Sequence, residues 1–369
     1  MAPVHLSAEQ ILSLRLRAQG LLDRARFRPA EIVKAVCAVQ SQDPAAGALS
    51  IWARGAGFSA ADIERARLEE RSLVRTWVFR GTLHLLATED AGWLLGLLGR
   101  VFIPANRARR AELGLDEATC ERGLDLIREI LAGQGALARA VLGERLAERG
   151  LVLAGQALPH LIGLAALKGL VCLGPDRGNH STCVLLEDWV SLGPALPREE
   201  ALVHLARRYL AAYGPASPAD LAHWSGLPQS ELRAAWGALA PERLEVSFNG
   251  ELLSLLKDHT GWLDDIDPSQ MGARLLPAYD TSLLGYRKRD WVVDARYSKR
   301  INAGGGIIHP TVLVESRAAG TWRTRRKRDA LEVILTPYDK FPGASLAELE
   351  SETSSLGRFL GVPAILKIE

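Results

Sequence analysis

The sequence is poor in the groups that hold metals or staples. Its four cysteines (Cys37, Cys120, Cys172, Cys183) form no CxxC pair, and its eight histidines are scattered without ligand spacing. Structural zinc and disulfides are excluded on that basis, and a reduced, cytoplasmic protein is expected. No apolar run approaches the ~18–20 residues of a membrane span, and residues 1–20 contain no signal-peptide core. Phosphate-cradling GxxxxGK[ST], the GxSxG elbow and HExxH are all missing. The glycine run Gly304-Gly305-Gly306 has neither GxGxxG spacing nor a following lysine, so it reads as a hairpin tip rather than a nucleotide fingerprint. No cofactor and no metal site are expected. An excess of one charge sign is lacking too: 45 Lys and Arg against 43 Asp and Glu leave +2. Global charge therefore does not point to nucleic acid.

What is present is the composition of a globular protein, 48% apolar and 24% charged over 369 residues, a length that allows roughly two to four domains. The first two thirds read as helices interrupted by hairpins. Apolar spacing predicts helices over 7–22, capped by Ser7, and from Pro29 through Val39. Another is predicted over 59–70, after which 73–79 and 82–87 form strands meeting at Arg80-Gly81. Helices followed by a hairpin are the skeleton of a winged helix. The pattern recurs with helices over 137–149 and 156–168 and strands over 170–173 and 182–186. A third unit begins at Arg198, with a helix-turn-helix at 217–227 and a hairpin around Asn249-Gly250. Beyond Gln270, residues 291–293, 311–315, 319–323 and 331–335 read as strands of a small antiparallel domain. A barrel is expected there, since open edges are a liability, with a closing helix near 345–360. The domain boundaries so read are 1–112, 113–196, 197–268 and 269–369.

Local charge is uneven. Between Arg287 and Arg328 stand 12 Lys and Arg, including Lys299, Arg300, Arg323, Arg325 and Arg326, against Asp290, Asp294 and Glu315, a net of +9. That is the footprint of a phosphate-binding face, or else of a well-solvated sheet surface. A smaller cluster is Arg107, Arg109 and Arg110.

One segment has a chemical suggestion. Val39-Gln-Ser-Gln-Asp-Pro44 lies where the second helix is expected to give way to a loop, since Pro44 forbids simple continuation. Glutamines two residues apart are ordinarily surface amides, but here both could enter one cleft. An amide orients water and is a poor base.

Four motifs in order resemble one family. They are Ala38-Val-Gln-Ser-Gln-Asp43, Arg75-Thr-Trp-Val-Phe-Arg-Gly-Thr-Leu-His84, Leu276-Pro-Ala-Tyr-Asp-Thr-Ser-Leu-Leu-Gly-Tyr-Arg287 and Asn302-Ala-Gly-Gly-Gly-Ile-Ile-His-Pro-Thr-Val-Leu313. Together they are similar to the AlkZ family of bacterial winged-helix DNA glycosylases, over almost the whole chain. Gln42, where another branch of the family has aspartate, aligns the chain with the cross-link-resistance branch.

The resemblance implies an α+β fold of three tandem winged helices and a C-terminal β-barrel, arranged as a C-shaped clamp on double-stranded DNA. It implies catalysis by Gln40 and Gln42. It also implies a DNA-engaging hairpin at 302–309, in which Asn302, Gly304, Gly305, Gly306 and His309 join the basic residues above. The expected activity is monofunctional hydrolysis of N7-alkylguanine glycosidic bonds and unhooking of interstrand cross-links, giving self-resistance to an azinomycin-type alkylating agent. A monomer without membrane contact is expected. The rival reading is a winged-helix transcriptional regulator without catalysis, and a third is a protein that sequesters the free drug.

Overall fold

The computed structural model describes all residues except 1, 2, 23, 25, 179, 266–271 and 305. The chain forms two compact units, one from Met1–Ile63 with Val203–Glu369 and the other from Glu64–Leu202.

In the first unit, helix Ala8–Ala18 begins with the expected cap: Ser7 Oγ accepts from Gln10 N–H while the Gln10 amide oxygen accepts from Ser7 N–H. Helix Pro218–Ser225 starts the same way from Ser217 and Asp220 and stops at Gly226, whose φ of 74° closes the last turn. Strands Arg243–Phe248 and Glu251–Leu256 form the expected hairpin. Asn249 and Gly250 both take positive φ (48° and 76°), as a type I′ turn demands. Strand Val4–His5 adds to it in parallel.

The C-terminal strands run in the spatial order Arg274–Leu276, Thr311–Val314, Arg317–Arg326, Leu331–Pro337, Ala364–Ile368. This is an open sheet and not the expected barrel; among the described residues no pairing joins its two edges. The reason lies in helix Ala344–Leu360, which buries Leu349, Leu356 and Phe359 and returns the chain as a parallel last strand. With that helix packed against the unit, closure is not needed to protect the apolar face, and the edges are kept short. Trp291, Val292 and Val293 are buried as expected of a strand, but they lie in turns: the N–H groups of both valines donate back to Arg289 O.

The second unit packs helices Glu117–Leu131, Arg139–Glu148 and Ala157–Leu167 through Leu124, Ile127, Leu142, Leu146 and Leu161. Its hairpins, Leu73–Trp77 with Leu83–Ala87 and Val171–Leu173 with Thr182–Leu185, join into one antiparallel sheet where Arg75 meets Leu173. Cys172 lies opposite Val184 and Cys183 opposite Leu173, so the two thiols occupy opposite faces of the sheet. Burial pushes each up to about 12, consistent with small inert hydrophobes.

His84 braces this unit. It is 3% exposed, its ring packs edge-on against Phe79, and its Nδ1 lies 2.9 Å from Thr82 O, which fixes the proton on Nδ1. Burial, helped by the Arg80 charge, lowers its pKa from 6.5 to about 3. The unfolded chain therefore binds a proton between those values that the folded one refuses. Stability should fall as pH drops from 6.5 towards 3, by up to about 1.4 kcal/mol per pH unit from this group. Denaturant midpoints measured from pH 7 to pH 4 should show a shallower decline in His84→Gln than in wild type.

Candidate active site

Helix Pro29–Ala35 ends earlier than its apolar spacing predicts. Cys37 adopts φ 68°, a left-handed conformation that no helix continues through, and the chain re-emerges as the short strand Val39–Gln40. The glutamine motif is therefore an extended link between two helices and not the frayed end of one. Along it Val39 and Ser41 are buried, Gln40 is half-buried and Gln42 exposed. Gln40 ends the strand and Gln42 lies in the bend that follows it, on either side of the buried Ser41. Ser41 presses on helix Pro44–Trp52 at Gly47, where a Cβ would stand 2.9 Å from the serine Oγ.

That helix is absent from the sequence reading, although its start was signalled. Asp43 is the cap, its Oδ1 accepting from Ala45 N–H at 2.9 Å and Ala46 N–H at 3.4 Å, and Pro44 is the first helical residue. The carboxylate nearest the glutamines is thus committed to holding a helix end.

Both flanks of the link are anchored by residues around the 276–287 motif. On the C-terminal side, Arg54 and Asp280 form a bidentate pair of 2.7 and 2.8 Å, with side chains 1% and 0% exposed. Arg54 also donates to Ser50 O, Thr281 Oγ1 and Gln19 Oε1, while Asp280 accepts from Ser50 Oγ and Ser282. Burial alone would raise the carboxyl, but Arg54 overrides it and holds Asp280 below its ordinary pKa; the guanidinium is correspondingly raised. On the N-terminal side, Tyr213 Oη donates to Val36 O at 3.1 Å, one residue before the Cys37 turn. Tyr213 is itself held by stacking on Tyr209 at 4.7 Å and by Tyr286 Oη donating to its carbonyl. Gly285 makes room for it, since a Cβ there would lie 2.4 Å from the ring.

The glycine hairpin pairs Asn302–Gly304 with Ile307–Ile308. Gly304 and Gly306 take φ of 92° and 80°, and neither would bring a Cβ within 4 Å of anything; Gly305 lies outside the described residues. Asn302 Oδ1 accepts from Gly304 N–H at 3.2 Å, so this side chain stabilises the hairpin. The base is tied by His309 N–H to Ile301 O and by Tyr279 N–H to Ile308 O. Ile307 is 43% exposed near the tip, and the His309 side chain is exposed.

Lys299, Arg300, Arg323, Arg325 and Arg326 are all exposed. Their charge is less one-sided than the local count suggests. Arg323 pairs with Glu369 and Arg325 with Glu332, both at 2.6 Å, carboxylates from outside the basic segment. Lys288 likewise pairs with Glu251, and Arg296 with Asp294. Arg300 lies over the Tyr338 ring at 4.8 Å. Arg326, Lys327 and Arg328 crowd the exposed turn before strand Leu331–Pro337. In the other cluster Arg107 pairs with Glu117, Arg109 with Glu112, and Arg110 is buried on Ile103 O, a structural use of all three. Among the described residues no group of His, Cys, Asp or Glu is arranged to hold a metal, and no helix is long and apolar enough to cross a membrane.

The interstrand DNA cross-link repair glycosylase of Streptomyces sahachiroi is 29% identical over 373 aligned residues, covering 96% of this chain and 97% of its own. The solved structure of the Streptomyces sahachiroi DNA glycosylase AlkZ matches the mixed α+β fold with a TM-score of 0.84 at 26% identity, over 99% of this chain and all of that one. The family model described as DNA glycosylase AlkZ-like matches residues 33–359. The chain belongs to the AlkZ-like DNA glycosylase family.

Proposed function

We propose that this protein is a monofunctional DNA glycosylase that hydrolyses the N-glycosidic bond of N7-alkylguanine and unhooks interstrand cross-links, protecting DNA against a bifunctional alkylating agent of the azinomycin type. The observation that carries the reading is the link anchored on both flanks, along which Gln40 is half-buried and Gln42 exposed. Alkylation at N7 makes guanine cationic, so the leaving group is already activated. The remaining barrier is formation of an oxocarbenium-like sugar. Two oriented carbonyl dipoles stabilise that charge and hold a water for attack at C1′, without a strong base. Asp43, engaged as a helix cap, leaves this work to the amides.

In this proposal the helix–hairpin units act as winged helices that grip duplex DNA in a clamp, and the hairpin at 302–309 enters the minor groove. A cross-linked base is tethered and cannot swing out freely, so the protein must approach it. Lys299, Arg300 and Arg326 supply the phosphate contacts; Arg323 and Arg325 would first exchange a carboxylate for a phosphate. A cytoplasmic monomer suffices. The test is excision from a duplex carrying one N7-methylguanine and from a cross-linked duplex, read by alkali cleavage of the abasic site. Release of the base from both is the expected result. Tight binding to unmodified DNA with neither lesion excised would defeat the proposal in favour of a regulator.

A further inference from the structure

The 276–287 motif reaches the glutamine link from both flanks, although it is more than two hundred residues away in sequence. Asp280 fixes Arg54 and Ser50, and so the helix that begins immediately after Asp43. Tyr286 and the space left by Gly285 fix Tyr213, whose hydroxyl holds Val36 ahead of the Cys37 turn. The neighbouring residue, Tyr279, sits at φ 58° and donates its N–H to Ile308 at the base of the glycine hairpin. One short segment thereby touches the supports of both elements assigned to DNA.

We propose that Asp280 and Tyr213 are positioning residues that set the angle of Gln40 and Gln42 and register them against the hairpin at 302–308. Neither faces the reacting atoms: Asp280 and Tyr213 are both fully buried. Their effect is exerted through backbone, on the segments that enter and leave the link. Clamping the chain on both sides of this two-residue strand and its left-handed cysteine limits how far the two amides can shift. Small misplacements of a catalytic group are costly in rate while leaving binding almost untouched.

The inference rests on the glycosylase reading, and its test keeps the two separable. Wild type, Tyr213→Phe and Asp280→Asn are compared with Val333→Ala, a core substitution in strand Leu331–Pro337 remote from both anchors in the chain of contacts described. All are assayed at a temperature where circular dichroism shows them folded. Single-turnover excision of N7-methylguanine at saturating protein should fall by about tenfold or more in Tyr213→Phe and Asp280→Asn, with DNA Kd within about threefold of wild type. Amide hydrogen exchange in the peptide covering 37–43 should speed up in both, and Val333→Ala should change neither readout. Wild-type rates at saturation together with unchanged exchange would overturn the proposal, as would an equal loss in Val333→Ala. If Asp280→Asn does not fold, Tyr213→Phe, which loses a single hydroxyl, decides alone. If wild type excises nothing, the glycosylase reading fails and the exchange of residues 37–43 still decides the positioning.

Discussion

Gln40→Ala and Gln42→Ala should each lower single-turnover excision of N7-methylguanine by about 10²–10³-fold, the usual loss when one preorganised dipole is removed from a developing charge. DNA binding should stay close to wild type, because the two side chains project from a link that the core holds through Val39 and Ser41. Gln40 is half-buried and Gln42 exposed, so the folded state should survive. In the proposed mechanism the pair acts on one water and one cation, and the double variant should therefore lose less than the product of the single losses. Gln42→Asp offers the informative contrast. A carboxylate stabilises the sugar cation more strongly than an amide, so this variant should widen the range of lesions to less activated bases. Multiple-substrate assays with N7-methylguanine and N3-methyladenine duplexes would reveal it. Retention of full activity by Gln40→Ala or Gln42→Ala would remove that glutamine from the mechanism.

Asp280→Asn should be among the most destabilising single substitutions in the first unit, costing about 3–5 kcal/mol, because it strands the Arg54 guanidinium in the interior with its remaining partners neutral. Arg54 Nε already has no hydrogen-bond partner, so the site has little spare capacity to absorb the loss. Urea unfolding followed by fluorescence would measure it. Replacing both partners together by apolar residues of similar volume should recover much of the stability while leaving the glutamine link poorly placed. The pH dependence has a definite sign. The folded carboxyl lies below its ordinary 3.8, so its contribution is complete above that value and is lost as pH falls through the lowered one. Wild type should therefore lose stability in strong acid more steeply than Asp280→Asn.

How much of this could be read from the chain depends on the distance over which each feature is decided. Ser217-Pro218 with Gly226, and Asn249-Gly250, specify their turns by local stereochemistry, and both formed as expected. Asp43-Pro44 is an equally good helix start, but the small apolar residues after it lack the periodic stripe that would have supported it. The left-handed Cys37 had no signal, since cysteine is not a residue that favours positive φ. Burial of Trp291, Val292 and Val293 was legible and their turn conformation was not; apolar character reports depth and is indifferent to backbone shape. The carboxylates facing Arg323 and Arg325 come from the next strand and the last residue, so a windowed charge count misses them. The Arg54–Asp280 pair links residues 226 apart, and nothing in either neighbourhood announces the other.

That separation bears on how the protein is made. The first unit is assembled from Met1–Ile63 and Val203–Glu369, with Glu64–Leu202 between them in the chain. During synthesis the glutamine link leaves the ribosome early, but Tyr213 and Asp280 follow only after most of the chain has been made. Residues 64–202 can pack locally in the meantime, whereas the link must wait for these two anchors. On the proposed roles, a nascent or truncated chain carries Gln40 and Gln42 without the residues that aim them. Competence to cut a base from DNA arrives late, with the segment that closes the fold.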